Sequence, residues 1–376
     1  MEVARRLESC LRAGDTLARV GGDEFVILIE SEEHETTAAS LAERIIDRLQ
    51  TPFKLSGQNI FTSCSIGIVA ISKDYTAPEE LLRDADVAMY AAKAHGAGHY
   101  MFFTNSMRAN TVEALSLQND LKHAIAQREF SLRYQPIYDP LTLKLWGFEA
   151  LVRWNHPQRG DVSPDVFIPI AEEINVIGEI GSWAMNEACT QLHAWAKRYP
   201  ELELHLNVNV SAKELKRHQF IAELQTLLET SGFKASQLQI EVTENVFLHE
   251  PETVGRVLEE VRSLGVRIAL DDFGTGYSAL GYIDKYPIDA IKIDSSFILR
   301  MLKHKRTMAI VQSILSLGRA LDVKIVAEGV ETQEQLDMLK AMQCPFVQGY
   351  LLAAPMPPQE TEKLLEKTLD NDPNRS

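Results

Sequence analysis

The sequence predicts an α/β protein whose larger part is a (β/α)8, TIM-like barrel, preceded by a smaller α/β unit. Three observations lead there. From about residue 129, apolar strand-like segments alternate with amphipathic helix-like ones, the pattern of a mainly parallel sheet covered by helices. Eight such strands over roughly 250 residues match the count and length of a barrel. Consecutive strands also end on polar or ionisable residues, and in a barrel those ends share the face where chemistry is done. An open doubly wound sheet is the alternative, but no Gly-rich fingerprint follows the first strand.

The elements follow in order. Within 1–103, "EVARRLESCLRAGD" reads as a helix and "TLARVGGDEFVILIE" as a hairpin, with Gly21 and Gly22 supplying the positive φ of a tight tip. A helix, "ETTAASLAERIIDRLQ", comes next, then alternating strand patterns around "IFTSCSIGIVAI". A helix from Glu79 to His95 is capped by Gly96, and "YMFF" closes the unit as a short strand. Residues 104–128 read as a polar connector and helix. The barrel, 129–360, has the strands "FSLRYQPIY", "LWGFEALVRW", "LHLNVNVS", "LQIEVTE", "VRIALDD", "AIKID", "KIVAEGV" and "PFVQGYLLA". Helices such as "TVGRVLEEVRSLG" and "TMAIVQSILSLGRALD" lie between most of them, and 361–376 is a helix end and frayed tail.

Composition narrows the function. The 45% hydrophobic and 24% charged fractions of the 376 residues are those of a soluble globular protein. No apolar run approaches the ~20 residues of a membrane span, and no secretory signal opens the chain. The expected location is the cytoplasm, although a parent protein with further N-terminal modules could be membrane-anchored. The four cysteines, Cys10, Cys64, Cys189 and Cys344, lack CxxC spacing and read as reduced thiols. A formal charge of −15 argues against a DNA or RNA polymer as partner. It allows a small anionic substrate if metal ions stand between the acids and the phosphates. The ten histidines show no HExxH or HxH spacing, so any metal should be held by oxygen.

Read to their C-terminal ends, seven consecutive strands deliver Glu149, Asn209, Glu241 with Glu244, Asp271 with Asp272, Lys292 with Asp294, Glu328 with Glu331, and Gln348. One such residue alone is usually an exposed cap; seven in series argue for convergence. Carboxylates with an amide oxygen, and no Cys or His, suit Mg2+ or Mn2+. Two adjacent aspartates repel by roughly 4 kcal/mol at ~4 Å in an effective dielectric of about 20. Two metals ~4 Å apart turn that repulsion into affinity. Neighbouring strand residues face opposite ways, so Asp271 and Asp272 can meet only where the strand gives way to the loop containing Gly274 and Gly276. Lys292, inside the apolar frame "AIKID", adds a cation for a metal-bound water or a phosphoryl oxygen. The chemistry suggested is attack of metal-activated water on a phosphate ester.

The segments "GFEALVRW", "NVNVSA", "IEVTEN", "LDDFGTGYSAL", "IKID", "VAEGVE" and "VQGYLL" together resemble the EAL family of cyclic di-GMP phosphodiesterases, over about 130–356 and in the family's order. The resemblance implies that Glu149, Asn209, Glu241 and Asp271 hold a first metal. Asp271 would bridge to a second held by Asp272, with Glu328 a further ligand or base. It implies that Lys292 contacts the attacking water and that Glu244 braces the loop starting at Asp272. Gln135, Leu151, Arg153, Asp294, Glu331 and Gln348 fall at substrate-pocket positions. Two Mg2+ or Mn2+ ions, inhibition by Ca2+, a homodimer through the EAL domain and hydrolysis of cyclic di-GMP to linear pGpG follow as expectations. A non-catalytic cyclic di-GMP receptor is the alternative, and a scaffold a third; receptors of this family typically lack ligands or the lysine that this sequence keeps.

The front segment resembles the GGDEF family of diguanylate cyclases through "RAGDTLARVGGDEFVIL", "CSIGIVAI" and "DADVAMYAAKAHGAG". Its signature, Gly21-Gly22-Asp23-Glu24-Phe25, is intact, and Arg12 with Asp15 matches the family's RxxD inhibitory-site spacing. Only about twenty residues precede the signature, and none supplies the metal-binding aspartate of a cyclase's first strand. The expectation is an N-terminally truncated GGDEF domain, either an excised fragment or a regulatory appendage, without cyclase activity.

Overall fold

In a computed structural model, the apolar segments downstream of residue 129 form a ring of eight strands. These are β1 (Phe130–Tyr138), β2 (Leu145–His156), β3 (His205–Asn209), β4 (Leu238–Thr243), β5 (Arg267–Phe273), β6 (Ala290–Ile293), β7 (Lys324–Ala327) and β8 (Phe346–Val347). The structure describes residues 2–30, 34–55, 58–60, 62–73, 75–94, 98–247, 250–274, 280–283 and 285–370. It divides into two units, Met1–Leu117 and Gln118–Ser376.

From β2 to β8 the strands run parallel, each beside the next. β1 closes the ring antiparallel to both β2 and β8. The first repeat therefore departs from a regular (β/α)8 pattern. Tyr138 and Leu145 are too close in sequence for a parallel crossover, which takes a dozen or more residues. The link is a hairpin instead, in which Asp139 Oδ1 accepts from the backbone N–H of Leu141 and Thr142 at 2.8 and 3.0 Å. A short strand the sequence did not suggest, Gly160–Val162, pairs with the end of β2.

The core strands are apolar runs because both faces are covered. Ile240, Ile268, Leu270, Ile291, Ile293 and Ile325 are buried in one cluster with residues of the surrounding helices. Helix Pro251–Ser263 contributes Val254, Leu258 and Val261 to it, at the four- and three-residue spacing of one helical face.

In the front unit, Thr16–Gly21 and Glu24–Leu28 form the expected antiparallel hairpin. Of its two tip glycines only Gly22 has a positive φ, 49°. Helix His34–Gln50 buries Leu41, Ile45 and Leu49 against Leu7, Cys10 and Phe53. Helix Pro78–Ala94 matches the expected one; its predicted end at His95 and Gly96 lies outside the described residues. Among the described residues the strands of this unit make three separate two-stranded sheets, a partial α/β domain. Val20 and Leu28 of the hairpin are 62% and 49% exposed. Helix Asn105–Ala124 occupies the connector. No helix among the described residues is long and apolar enough to cross a membrane.

Candidate metal centre and active site

The site is built around β5. Its pairing register with β6 slips between Leu270 and Phe273, and Asp272 takes a left-handed φ of 54°, a region where aspartate and asparagine are the commonest visitors after glycine. This break answers how two neighbouring strand residues serve one centre. Oxygens of Asp271, Asp272 and Glu328 lie within 4.8 Å of one another. The backbone N–H of Asp272 also donates to Asp271 Oδ1 at 3.0 Å. Just beyond, the backbone N–H of Gly274 (φ 99°) donates to Glu244 Oε1 at 2.7 Å, so the buried Glu244 holds the loop without joining the acidic cluster. Gly276 and the rest of 275–279 lie outside the described residues.

Lys292 on β6 is 1% exposed. Its Nζ lies 2.6 Å from Glu328, 2.7 Å from Glu241, 3.1 Å from Glu149 and 3.3 Å from Asp271. One ammonium thus meets carboxylates from β2, β4, β5 and the residue after β7. Burial, reinforced by the other carboxylates, pushes Glu241 well above the usual range. Burial likewise raises Asp271, takes Asp272 to about 6 and takes Glu328 to about 8. Glu149 moves down, because Lys292 and hydrogen bonds from Gln348 and Asn209 outweigh its burial. For Lys292 the four carboxylates outweigh burial and its pKa rises. The cluster is short of positive charge. Its all-oxygen donor set fits hard divalent cations, and Glu149, Asn209, Glu241, Asp271, Asp272 and Glu328 are the residues that could hold them.

The other predicted residues take distinct places. Asn209 Nδ2 donates to Glu149 Oε1 at 2.8 Å. Gln348 Nε2 donates to both Glu149 Oε2 and Gln135 Oε1 at 2.9 Å, joining β1 to the centre. Leu151 and Arg153 share the strand face of Glu149 by the two-residue period; both are half-buried, and Arg153 Nη1 donates to Val152 O at 2.8 Å. Asp294 caps helix Ser295–Met301, accepting from Ser296 N at 3.1 Å, and its charge helps raise Asp272. Glu331 is exposed, with its backbone N–H donating to Gln335 Oε1 at 2.7 Å. Of Leu151, Arg153, Asp294 and Glu331, Asp294 is tied to the acidic cluster, through its charge on Asp272. Arg12, Asp15, Asp23 and Glu24 belong to the other unit, where Asp15 Oδ2 accepts from Arg12 N at 2.8 Å.

One residue escaped the sequence reading. Asn207, fully buried on β3, donates from Nδ2 to Glu241 Oε1 at 2.7 Å and leaves Oδ1 without a partner. The signal was the "NVN" spacing, which puts Asn207 and Asn209 on one strand face.

The EAL domain model matches residues 118–355. The chain belongs to the EAL family. A second model, the GGDEF domain of diguanylate cyclases, matches residues 1–99, the front unit. The chain is 40% identical over 360 residues to the bifunctional diguanylate cyclase/cyclic di-GMP phosphodiesterase MucR of Pseudomonas aeruginosa, covering 96% of this chain and 52% of MucR. It is 36% identical over 364 residues to the cyclic di-GMP phosphodiesterase NbdA of the same organism, covering 96% of this chain and 46% of NbdA. The chain thus spans about half the length of these curated relatives. A structure of the PaMucR phosphodiesterase in complex with c-di-GMP aligns with a TM-score of 0.63 at 37% identity, covering 65% of this chain and 99% of that one. EAL relatives such as MucR and NbdA are thus phosphodiesterases of cyclic di-GMP, and this chain carries the same domain.

Proposed function

We propose that this chain hydrolyses one phosphodiester of cyclic di-GMP, giving linear pGpG, with two Mg2+ or Mn2+ ions at the centre around Asp271. The observation that carries the reading is the buried Lys292 surrounded by four carboxylates, with Asp272 turned toward the same point. Two divalent cations bound there would neutralise the carboxylates, lower the pKa of water and polarise a phosphoryl oxygen.

The chain's own residues do the rest. Lys292 Nζ, fixed by its four partners, directs a hydrogen bond at the attacking water. Glu328, on the same ammonium, serves as ligand or proton acceptor. Arg153 offers a planar, permanently charged donor to a non-bridging phosphate oxygen. Gln135 and Gln348 line the pocket while holding Glu149 in orientation, and Leu151, Asp294 and Glu331 bound the substrate's flanks. As an enzyme of a bacterial nucleotide messenger the chain would act in the cytoplasm. Two copies would associate through the barrel, which sedimentation with and without cyclic di-GMP checks.

The deciding experiment incubates the purified chain with cyclic di-GMP and Mg2+ or Mn2+, with EDTA as control, and resolves the products by chromatography. Metal-dependent pGpG is expected. Tight binding of cyclic di-GMP without turnover in either metal would make the chain a receptor instead.

A further inference from the structure

The opposite end of the barrel holds a second polar cluster. Here the strands begin, with His205, Arg267 and Lys324 as first residues and Gln239 as the second of β4. A cleft of about 400 Å³ opens among Gln239, Arg267, Asp289, Arg319, Asp322 and Lys324, with an apolar flank that includes Leu315 and Ile325. It is remote in chemistry from the acidic centre, since its lining carries three cations and two acids.

Two donors in this cleft are unpaired. Arg267 Nη1 is buried without a hydrogen-bond partner, and so is Nε2 of Gln239, a residue only 2% exposed. Gln239 and Arg267 are directly opposed in the β4–β5 register, so their side chains leave the sheet on the same face. Leaving a buried donor unmade costs about 1–3 kcal/mol, more for a charged group. Both groups can only donate from these atoms, so what satisfies them must accept.

The three cations of the cleft outnumber its two acids, Asp289 and Asp322, and Lys324 feels Asp289 and Glu203 as its nearest opposing charges. Asp289 is engaged elsewhere, by the Arg262 guanidinium and by Ile268 N–H at 2.9 Å. Arg319 donates to Met342 O and Ser316 Oγ at 3.3 and 3.1 Å. Lys324 has no ion pair among the described residues, and its Nζ sits 5.6 Å above the Trp146 and Phe346 rings. Burial and the neighbouring Arg267 lower the pKa of Lys324. Burial, Arg267 and Lys324 hold His205 down at about 4, so it is neutral at physiological pH and adds no competing charge.

We propose that this cleft, at the N-terminal face of the barrel, binds a phosphate-type oxyanion received by Arg267, Gln239 and Lys324. Arg267 supplies charged N–H donors from a planar fork, Gln239 a neutral N–H and Lys324 a mobile point charge. The cleft exceeds the size of a bare phosphate ion, which leaves room along its apolar flank for the organic body of a phosphomonoester. The same strands carry Glu241, Asp271 and, one residue beyond, Glu328, so an occupant here would tie down their entry ends and stabilise the barrel.

The test uses the full chain in EDTA, which keeps phosphate away from the acidic face. Isothermal titration with sodium phosphate, and separately with glycerol phosphate, is run against sodium chloride at matched ionic strength. Melting curves are recorded in parallel. One saturable site with a rise in melting temperature is expected. Lys324→Met and Arg267→Met should each weaken it by about tenfold or more, the loss of one charge-assisted hydrogen bond, while leaving the circular dichroism spectrum unchanged. Tighter binding of glycerol phosphate would identify a phosphomonoester as the natural class, and equal binding the free ion. No heat of binding to the wild type overturns the proposal without need of any variant. So does phosphate stabilisation that persists undiminished in both variants, since excluded salts also raise stability generally.

Discussion

Lys292→Met probes the centre most directly, because the structure allows its effect to be worked out. The ammonium lies 2.6 to 3.3 Å from four carboxylates and is almost wholly buried. Removing one partner of a buried ion pair costs about 3–5 kcal/mol. For a domain of this size each kcal/mol moves the melting temperature by roughly 2–4 °C, so the metal-free variant should melt roughly 6–20 °C lower. The loss should depend on pH. Glu241, Asp271 and Glu328 already have folded pKa values above their ordinary ones, and without the ammonium they rise further. A carboxyl raised in the folded state loses stability as pH climbs from its unfolded value through its folded one. The gap between variant and wild type should therefore be small near about pH 5, where the carboxyls can hold protons, and should widen through about pH 8 and above. Calorimetry in EDTA across that range checks it. Equal melting temperatures at the alkaline end, or a gap that widens toward acid, would refute Lys292 as the counter-ion of the cluster. With metal and substrate supplied, the variant should lose kcat and kcat/KM together; a pure rise in KM would make Lys292 a substrate-binding residue.

Glu149→Ala and Asp271→Ala should abolish hydrolysis even at saturating Mg2+, and near wild-type turnover in either would break the two-metal assignment; Ca2+ should inhibit the wild type, because its longer, looser coordination misplaces the attacking water. Glu244→Ala should lose most activity while still binding cyclic di-GMP, with a steeper dependence on metal concentration than wild type; superimposable metal titrations would reduce the Glu244–Gly274 contact to a passive one. Glu214, a buried residue whose carboxylate accepts from Ser211 N at 2.8 Å, is raised to about 7 by burial. Its ionisation should cost stability as pH rises from about 4.5 to about 7, so Glu214→Gln should gain on wild type by up to roughly 3 kcal/mol at alkaline pH, and a difference flat in pH would contradict this.

The strands and their acidic ends were legible because barrel strands covered on both faces must be apolar until they emerge. Glu149, Glu241, Asp271 and Glu328 stand where that rule stops. The reversed β1 has its signal in the short gap between Tyr138 and Leu145, which cannot hold a parallel crossover. Asn207 was lost because its neighbour Asn209 satisfied the same pattern. The cleft residues Gln239, Arg267 and Lys324 carried no such signal, since a polar residue at a strand start is ordinarily a solvated one. Asp272 was different in kind. Strand periodicity sends its side chain away from Asp271, and nothing local in "ALDDFG" states that φ turns positive there. A left-handed conformation costs a side-chain-bearing residue roughly 1–2 kcal/mol, so something outside the strand must hold it. Two residues on, the bond from Gly274 N–H to the buried Glu244, which comes from the end of the preceding strand, ties the chain down. The position of Asp272 is then coupled to a carboxylate outside the cluster of Asp271, Asp272 and Glu328. Loss of that brace in Glu244→Ala should let β5 relax toward regular extension and turn Asp272 away from Asp271 and Glu328, which a crystal structure of the variant checks; an unchanged Asp272 would refute the coupling.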